Sequence, residues 1–165
     1  MGNNWKITDT LTKVFADEVP DGQGSIRLST LHRETVSCVI AYFGAADWGR
    51  YWKVSVKAPE KIETRLRRVE LVPSAYPCHK EQDDNYLRIV PGMYPDLLRD
   101  LDTEDDGADK KYLTKEVPGQ WRSLWLDVTV DAELAGGDYA IVIETETEDG
   151  EKETLKADLH VVDAS

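Results

Sequence analysis

Strict alternation of apolar and polar side chains is the feature that most restricts how this chain can fold. WKVSVKA sets Trp52, Val54, Val56 and Ala58 on one side and Lys53, Ser55 and Lys57 on the other. Successive side chains of a strand point to opposite faces, so this pattern predicts a half-buried strand. WRSLWLDVTV aligns Leu124, Leu126, Val128 and Val130. DYAIVIETET aligns Tyr139, Ile141 and Ile143, and ETLKADLHVVD aligns Leu155, Ala157, Leu159 and Val161. HRETVSCVIAYF and the basic TRLRRVELV read the same way, with shorter strands expected near Thr10–Phe15 and Ser25–Thr30. Helical periodicity is scarce. Roughly seven to nine short strands separated by turn signals predict an all-β, antiparallel β-sandwich.

Two local signals sharpen that expectation. Asp149-Gly150 between two alternating runs predicts a two-residue type I′ hairpin. Gly137 two residues before Tyr139, at a strand start, matches the tyrosine corner of immunoglobulin-like sandwiches, where the phenol bonds to upstream backbone. With 165 residues the chain is expected to be a single domain, 1–165.

The exception is the stretch from Pro73 to Gly119, which holds five of the seven prolines and the acidic run DLDTEDDGADKK. It reads as one long, partly ordered loop. Asp102 to Lys111 is expected to be solvated and mobile, whereas Tyr86 to Leu98 is too apolar to remain in water. Pro91-Gly92 suits a type II turn, and Pro95 suits the first position of a short helical turn. Trp121 and Trp125 share the face of their strand opposite the leucines and need covering. The reading that follows is a lid: Asn85–Leu98 packs over Trp121 or Trp125. Arg88 and Arg122 would pair with Asp96 or other local carboxylates. Met93 and Tyr94 would stay at the surface.

Composition excludes several partners. The net charge of −12, from 32 acidic and 20 basic side chains, repels phosphate backbones and anionic headgroups, so neither nucleic acid nor a membrane is expected. The start, MGNNWKITDTLTKVF, lacks the basic-then-apolar order of a signal peptide, which favours a cytoplasmic location unless a preceding segment carries one. Cys38 and Cys78 are expected to be free thiols, the first buried in its strand.

Catalytic patterns do not emerge. Carboxylates lie in solvated runs, His32, His79 and His160 are scattered, and neither a phosphate loop nor a nucleophile elbow occurs. CHKEQDD offers Cys78, His79, Glu81, Asp83 and Asp84, but at no recognised metal spacing, so it reads as a polar loop. Neither a cofactor nor a metal is expected. The remaining candidates are aromatic: Trp121 and Trp125, and the Trp48, Tyr51 and Trp52 cluster in DWGRYWK, which as exposed platforms would stack on sugar rings.

LTKVFADEVP, HRETVSCVIAYF, DNYLRIVPGMYPDLL, GQWRSLWLDVTV and AGGDYAIVI occur in an order that carries a resemblance. Across nearly the whole chain it resembles the N-terminal β-sandwich domain of bacterial multidomain proteins related to glycoside hydrolase family 123. The resemblance implies a non-catalytic accessory domain before a barrel, with the barrel as its partner and the acidic catalytic residues lying there. Met93, Tyr94, Trp121, Trp125, Trp48 and Trp52 are then candidates for contact with that barrel. The alternative is a carbohydrate-binding module using the same aromatic residues.

Overall fold

The computed structural model describes residues 4–81, 85–105 and 110–163. Among them are eleven strands and no helix. They are β1 (Trp5–Thr8), β2 (Ser25–Leu31), β3 (Thr35–Phe43), β4 (Tyr51–Lys57), β5 (Ile62–Ser74), β6 (Gly92–Asp100), β7 (Asp102–Asp105), β8 (Lys110–Lys115), β9 (Trp121–Val130), β10 (Gly137–Thr147) and β11 (Lys152–Val162). Two sheets form an immunoglobulin-like sandwich, one ordered β1-β3-β9-β5-β6 and the other β2-β11-β10-β4-β8-β7. All pairings are antiparallel except β2 with β11, which makes the six-stranded sheet mixed.

The alternating faces meet between the sheets. Leu124, Leu126 and Val128 of β9 face Ile141 and Ile143 of β10, Leu155, Ala157 and Leu159 of β11, and Trp52 and Val54 of β4 in one continuous core. Tyr139 donates its hydroxyl to the Ala135 carbonyl at 2.7 Å, closing the tyrosine corner that the sequence suggested.

The turn between β10 and β11 differs from expectation. Gly150 has φ 83°, but Asp149 does not have a positive φ, so a type I′ turn is not formed. Gly150 N–H bonds to the Thr147 carbonyl at 3.0 Å and Thr147 N–H to the Glu151 carbonyl at 2.9 Å. Glu148 and Asp149 are the central residues, and Gly150 follows in the left-handed region as a bulge. One extra residue is accommodated because glycine reaches that region without strain.

About half of the described residues between Pro73 and Gly119 lie in strands rather than in one long loop. Asp102–Asp105 is ordered as β7 beside β8, with Glu104 opposite Lys111 and bonded to Lys53 at 2.8 Å. The expected mobility is therefore corrected for these residues, while 106–109 lie outside the described ones. Pro95 sits buried within β6, not at a helical turn, and Gly92 lacks the positive φ of a type II turn. Proline is tolerated because β6 is an edge strand. Thr10–Phe15 is not a strand either: the Asp9 carboxylate accepts the N–H groups of Leu11 at 2.9 Å and Thr12 at 3.0 Å, which curls the chain after β1.

A buried polar network closes one end of the sandwich. Glu116, 2% exposed, accepts Arg50 Nε at 3.2 Å, Arg50 Nη2 at 2.9 Å and the Trp52 indole N–H at 2.8 Å. Arg50 Nη1 reaches the half-exposed Glu151 at 2.5 Å. Trp52 in turn meets Trp5 edge-on, and Trp5 stacks on Tyr42. Removing one partner of a buried pair strands the other charge, which costs about 3–5 kcal/mol. Glu116→Ala is expected to lower urea-unfolding stability by that amount, whereas Glu151→Ala should cost less than about 1 kcal/mol because that pair is open to water.

Candidate functional site

On the outer face of the five-stranded sheet, Trp121, Ser123, Trp125 and Asp127 alternate with the core residues of β9. Trp121 is 7% exposed and joins Val14, Val39 and Ala41 in a second buried cluster, with Phe43 and Trp125 packed against it. Its cover is the segment between β1 and β2, not Asn85–Leu98. Trp121 N–H bonds to the Ala16 carbonyl at 2.9 Å, Val14 is buried on the indole's cluster, and Lys6 lies 5.4 Å from the ring centroid while holding the Pro20 carbonyl at 3.0 Å.

Asn85–Leu98 forms a second layer. The Arg88 guanidinium sits 3.7 Å from the Phe15 ring centroid and donates to Asp17 at 2.9 Å and Glu18 at 3.1 Å. Tyr94 meets the same ring edge-on at 5.6 Å, and its hydroxyl donates to the Val90 carbonyl at 2.5 Å. Arg88 therefore pairs with carboxylates some 70 residues away rather than with Asp96, and Arg122 bonds to Gln120 instead of a carboxylate. Leu87, Ile89, Val90 and Leu97 are exposed, so the lid reading fails for them, while Met93 is exposed as expected; Pro95 alone in this segment is buried. The physical reason is that Val14 occupies the tryptophan face, leaving this loop to clamp the cover through Phe15, Asp17 and Glu18.

Electrostatics follow the same layering. The hydrogen bond from Arg88 holds the Asp17 carboxyl below its ordinary range. Asp127 accepts Ser37 Oγ at 2.6 Å, the Trp125 indole N–H at 2.8 Å and the Arg67 guanidinium. Its partial burial would raise its pKa, but these three donors together lower it.

Several sequence candidates are dispersed. Trp52 is fully buried and cannot touch a ligand, while Trp48 and Tyr51 are about half exposed. Trp125 is half-buried with its N–H spent on Asp127. Tyr94 is half-buried and Met93 is exposed, both on edge strand β6. His160 is exposed and bonds to Asp138 at 2.8 Å, as its outward alternation suggested. In CHKEQDD, Asp83 and Asp84 lie outside the described residues, and among those described no group of three metal-ligating side chains occurs. Phe15, Asp17 and Glu18 were missed as site residues. Their only signal is an apolar pair followed by two acids, which gives no hint of a cation some 70 positions away.

Between the cover, the ends of β5 and β6 and residues 85–88 lies an open groove of about 550 Å³, with Phe15, Tyr94 and Pro95 on its floor. Leu11, Val19 and Leu87 line an adjoining hollow.

No family model matches the chain, and no curated protein matches it in sequence. Among solved structures it is similar to a family 123 glycoside hydrolase from Clostridium perfringens, described for glycolipid glycan hydrolysis, with a TM-score of 0.64 at 9% identity. The similarity covers 96% of this chain but 27% of that one, so the chain spans about a quarter of the hydrolase's length. A PapD-like domain of human CEP192 gives a TM-score of 0.47 at 11% identity, over 98% of this chain and 87% of that one. The major pilin subunit of Bacillus cereus gives 0.41 at 7%, over 95% and 39%. At these identities the likenesses concern the fold.

Both cysteines are free. Burial, reinforced by the nearby Asp127 carboxylate, pushes the Cys38 thiol up to about 12. Native protein should therefore show one reactive thiol, Cys78, in a titration at pH 8, and two after unfolding. The raised value also means that the fold favours the neutral thiol. That contribution is complete below the ordinary value of 9.0 and is lost as pH climbs from there towards about 12.

Arg88→Ala should loosen the outer layers without unfolding the sandwich. Exposed ion pairs and a cation–π contact are each worth about 0.2–1 kcal/mol, so local protection should fall by about 1–2 kcal/mol. Faster amide hydrogen exchange confined to residues 14–18 and 85–91 is the expected result.

Proposed function

We propose that this chain is a non-catalytic accessory β-sandwich domain that docks on a neighbouring domain of a glycoside-hydrolase-like protein. The observation that carries this reading is the exposed apolar surface of the cover and its clamp. Leu11 is 86% exposed, Leu87 72% and Val19 68%, and Ile89, Val90 and Met93 are about half exposed. Apolar groups gathered in this way on a strongly acidic chain mark an interaction surface. The surface rests on a rigid base, since Arg88, Phe15 and Tyr94 hold the two segments together, so docking would cost little ordering. The fold likeness to a segment of a family 123 hydrolase supports a neighbour of that kind, with the chemistry residing in the neighbour.

The test is reconstitution. The chain is produced alone, the region that flanks it in its gene product is produced as a second chain, and their association is measured by sedimentation. Wild type is expected to associate, and Leu87→Asp combined with Met93→Asp should abolish association while leaving the thermal melt unchanged, since both side chains face water. Association unaffected by this double substitution would refute the surface. Glycosidase activity in the chain alone would refute the accessory role.

A further inference from the structure

We infer that the groove beside the clamp binds a neutral pyranose saccharide. This goes beyond the docking role and does not depend on it. The groove lies apart from Trp121, Trp125 and Trp52, whose burial or bonding leaves them unsuited to stack on a sugar.

The floor is preformed. Phe15 is wedged between Arg88 at 3.7 Å and Tyr94 at 5.6 Å, and the Tyr94 hydroxyl is committed to the Val90 carbonyl. Three lining residues, Pro73, Pro77 and Pro95, have fixed φ angles. At about 550 Å³ the groove falls within the range of small-molecule sites. Little ordering is left to do when a ligand enters.

The rim sets the ligand's chemistry. Lys13, Ser74 and Asp96 line the groove, and their side chains hold no hydrogen bond or ion pair with other described residues. Arg88 is already paired with two carboxylates, Asp17 and Glu18. The free rim therefore carries one positive and one negative charge, within a chain of net −12 that repels anions. A purely apolar ligand would desolvate Lys13 and Asp96 without replacing their bonds to water, which is costly. A pyranose meets both demands: its C–H face lies on the accessible surface of Tyr86, Tyr94, Pro73 and Pro77, with the buried Phe15 and Pro95 supporting them from beneath, and its hydroxyls bond to a carboxylate, an ammonium and a hydroxyl at the edge. Tyr86, 46% exposed at the rim, adds an amphipathic ring with few rotamers to freeze. A proline-rich peptide is the competing occupant, since aromatic-lined grooves also hold such segments.

Amide chemical-shift titration of the 165-residue chain tests this, using methyl β-glucopyranoside, methyl β-galactopyranoside, methyl 2-acetamido-2-deoxy-β-glucopyranoside and cellobiose, with a decaproline peptide as the competing class. At least one sugar is expected to saturate with a Kd on the order of 1 mM, as befits an open site, with shifts at residues 72–74, 86–88 and 94–96. Tyr86→Ala and Asp96→Ala, both solvent-exposed positions, should each weaken it about tenfold, equivalent to 1.4 kcal/mol. Trp48→Ala, an exposed aromatic elsewhere, should leave it unchanged. Absence of saturation with every sugar, shifts that map outside the groove, indifference to the Tyr86 and Asp96 substitutions, or saturation by decaproline alone would overturn the inference. None of these outcomes bears on association with a flanking domain, so the two readings fail separately.

Discussion

Strand β9 carries large apolar side chains on both faces, and the architecture of the five-stranded sheet depends on how that is resolved. Its leucines and valines face the other sheet and build the core. Its tryptophans face outward, where an indole left bare would forgo about 2–3 kcal/mol of burial. The chain covers Trp121 with the segment after β1, placing Val14 and Phe15 on the outer face. A cover made of irregular backbone needs fastening, and Arg88 supplies it through one ring and two carboxylates. The groove and the exposed apolar residues are by-products of that fastening. Each layer exists because the one beneath it could not be left open.

The opposite demand, burying charge, is met at one end of the sandwich. Glu116 and Arg50 are both nearly inaccessible, yet each finds geometry good enough to offset desolvation: a two-point guanidinium–carboxylate contact plus an indole donor. The network joins β4, the connection from β8 to β9, and the β10–β11 hairpin through Glu151. It thereby ties the hairpin's irregular turn to the core. Gly44 contributes at the same end, because a Cβ there would lie 2.1 Å from the Val117 carbonyl oxygen. Only glycine lets the connection after β3 pass so close to the one before β9.

The docking role proposed here rests on this division. Rigid polar bonding closes one end, and exposed apolar surface accumulates over the outer face of the five-stranded sheet. That asymmetry suits a domain that presents one surface to a neighbour and keeps the rest in water. The neutral, proline-walled groove lies at the edge of that surface, where a ligand could be held close to whatever the domain meets.

Alternation was enough to determine the class of fold, the inward faces of β4, β9, β10 and β11 and the burial of Cys38, and a local Gly-x-Tyr signal marked the tyrosine corner. Each of these depends on neighbours two positions apart or on a local turn, and such information survives in one dimension. The edge strands β6 and β7 were not legible. A strand exposed on both faces has no apolar period, and the irregular pairing between Glu70 and Leu71 breaks what period β5 and β6 share. The hairpin glycine was recognised but its turn type was not, since one added residue shifts the turn without changing the Asp-Gly signal. The need to cover Trp121 was legible from the sequence, but the identity of the cover was not. Val14 holds that face, and Arg88 fastens its segment through Asp17 and Glu18, a contact across some 70 residues that only the folded chain brings within 3.1 Å.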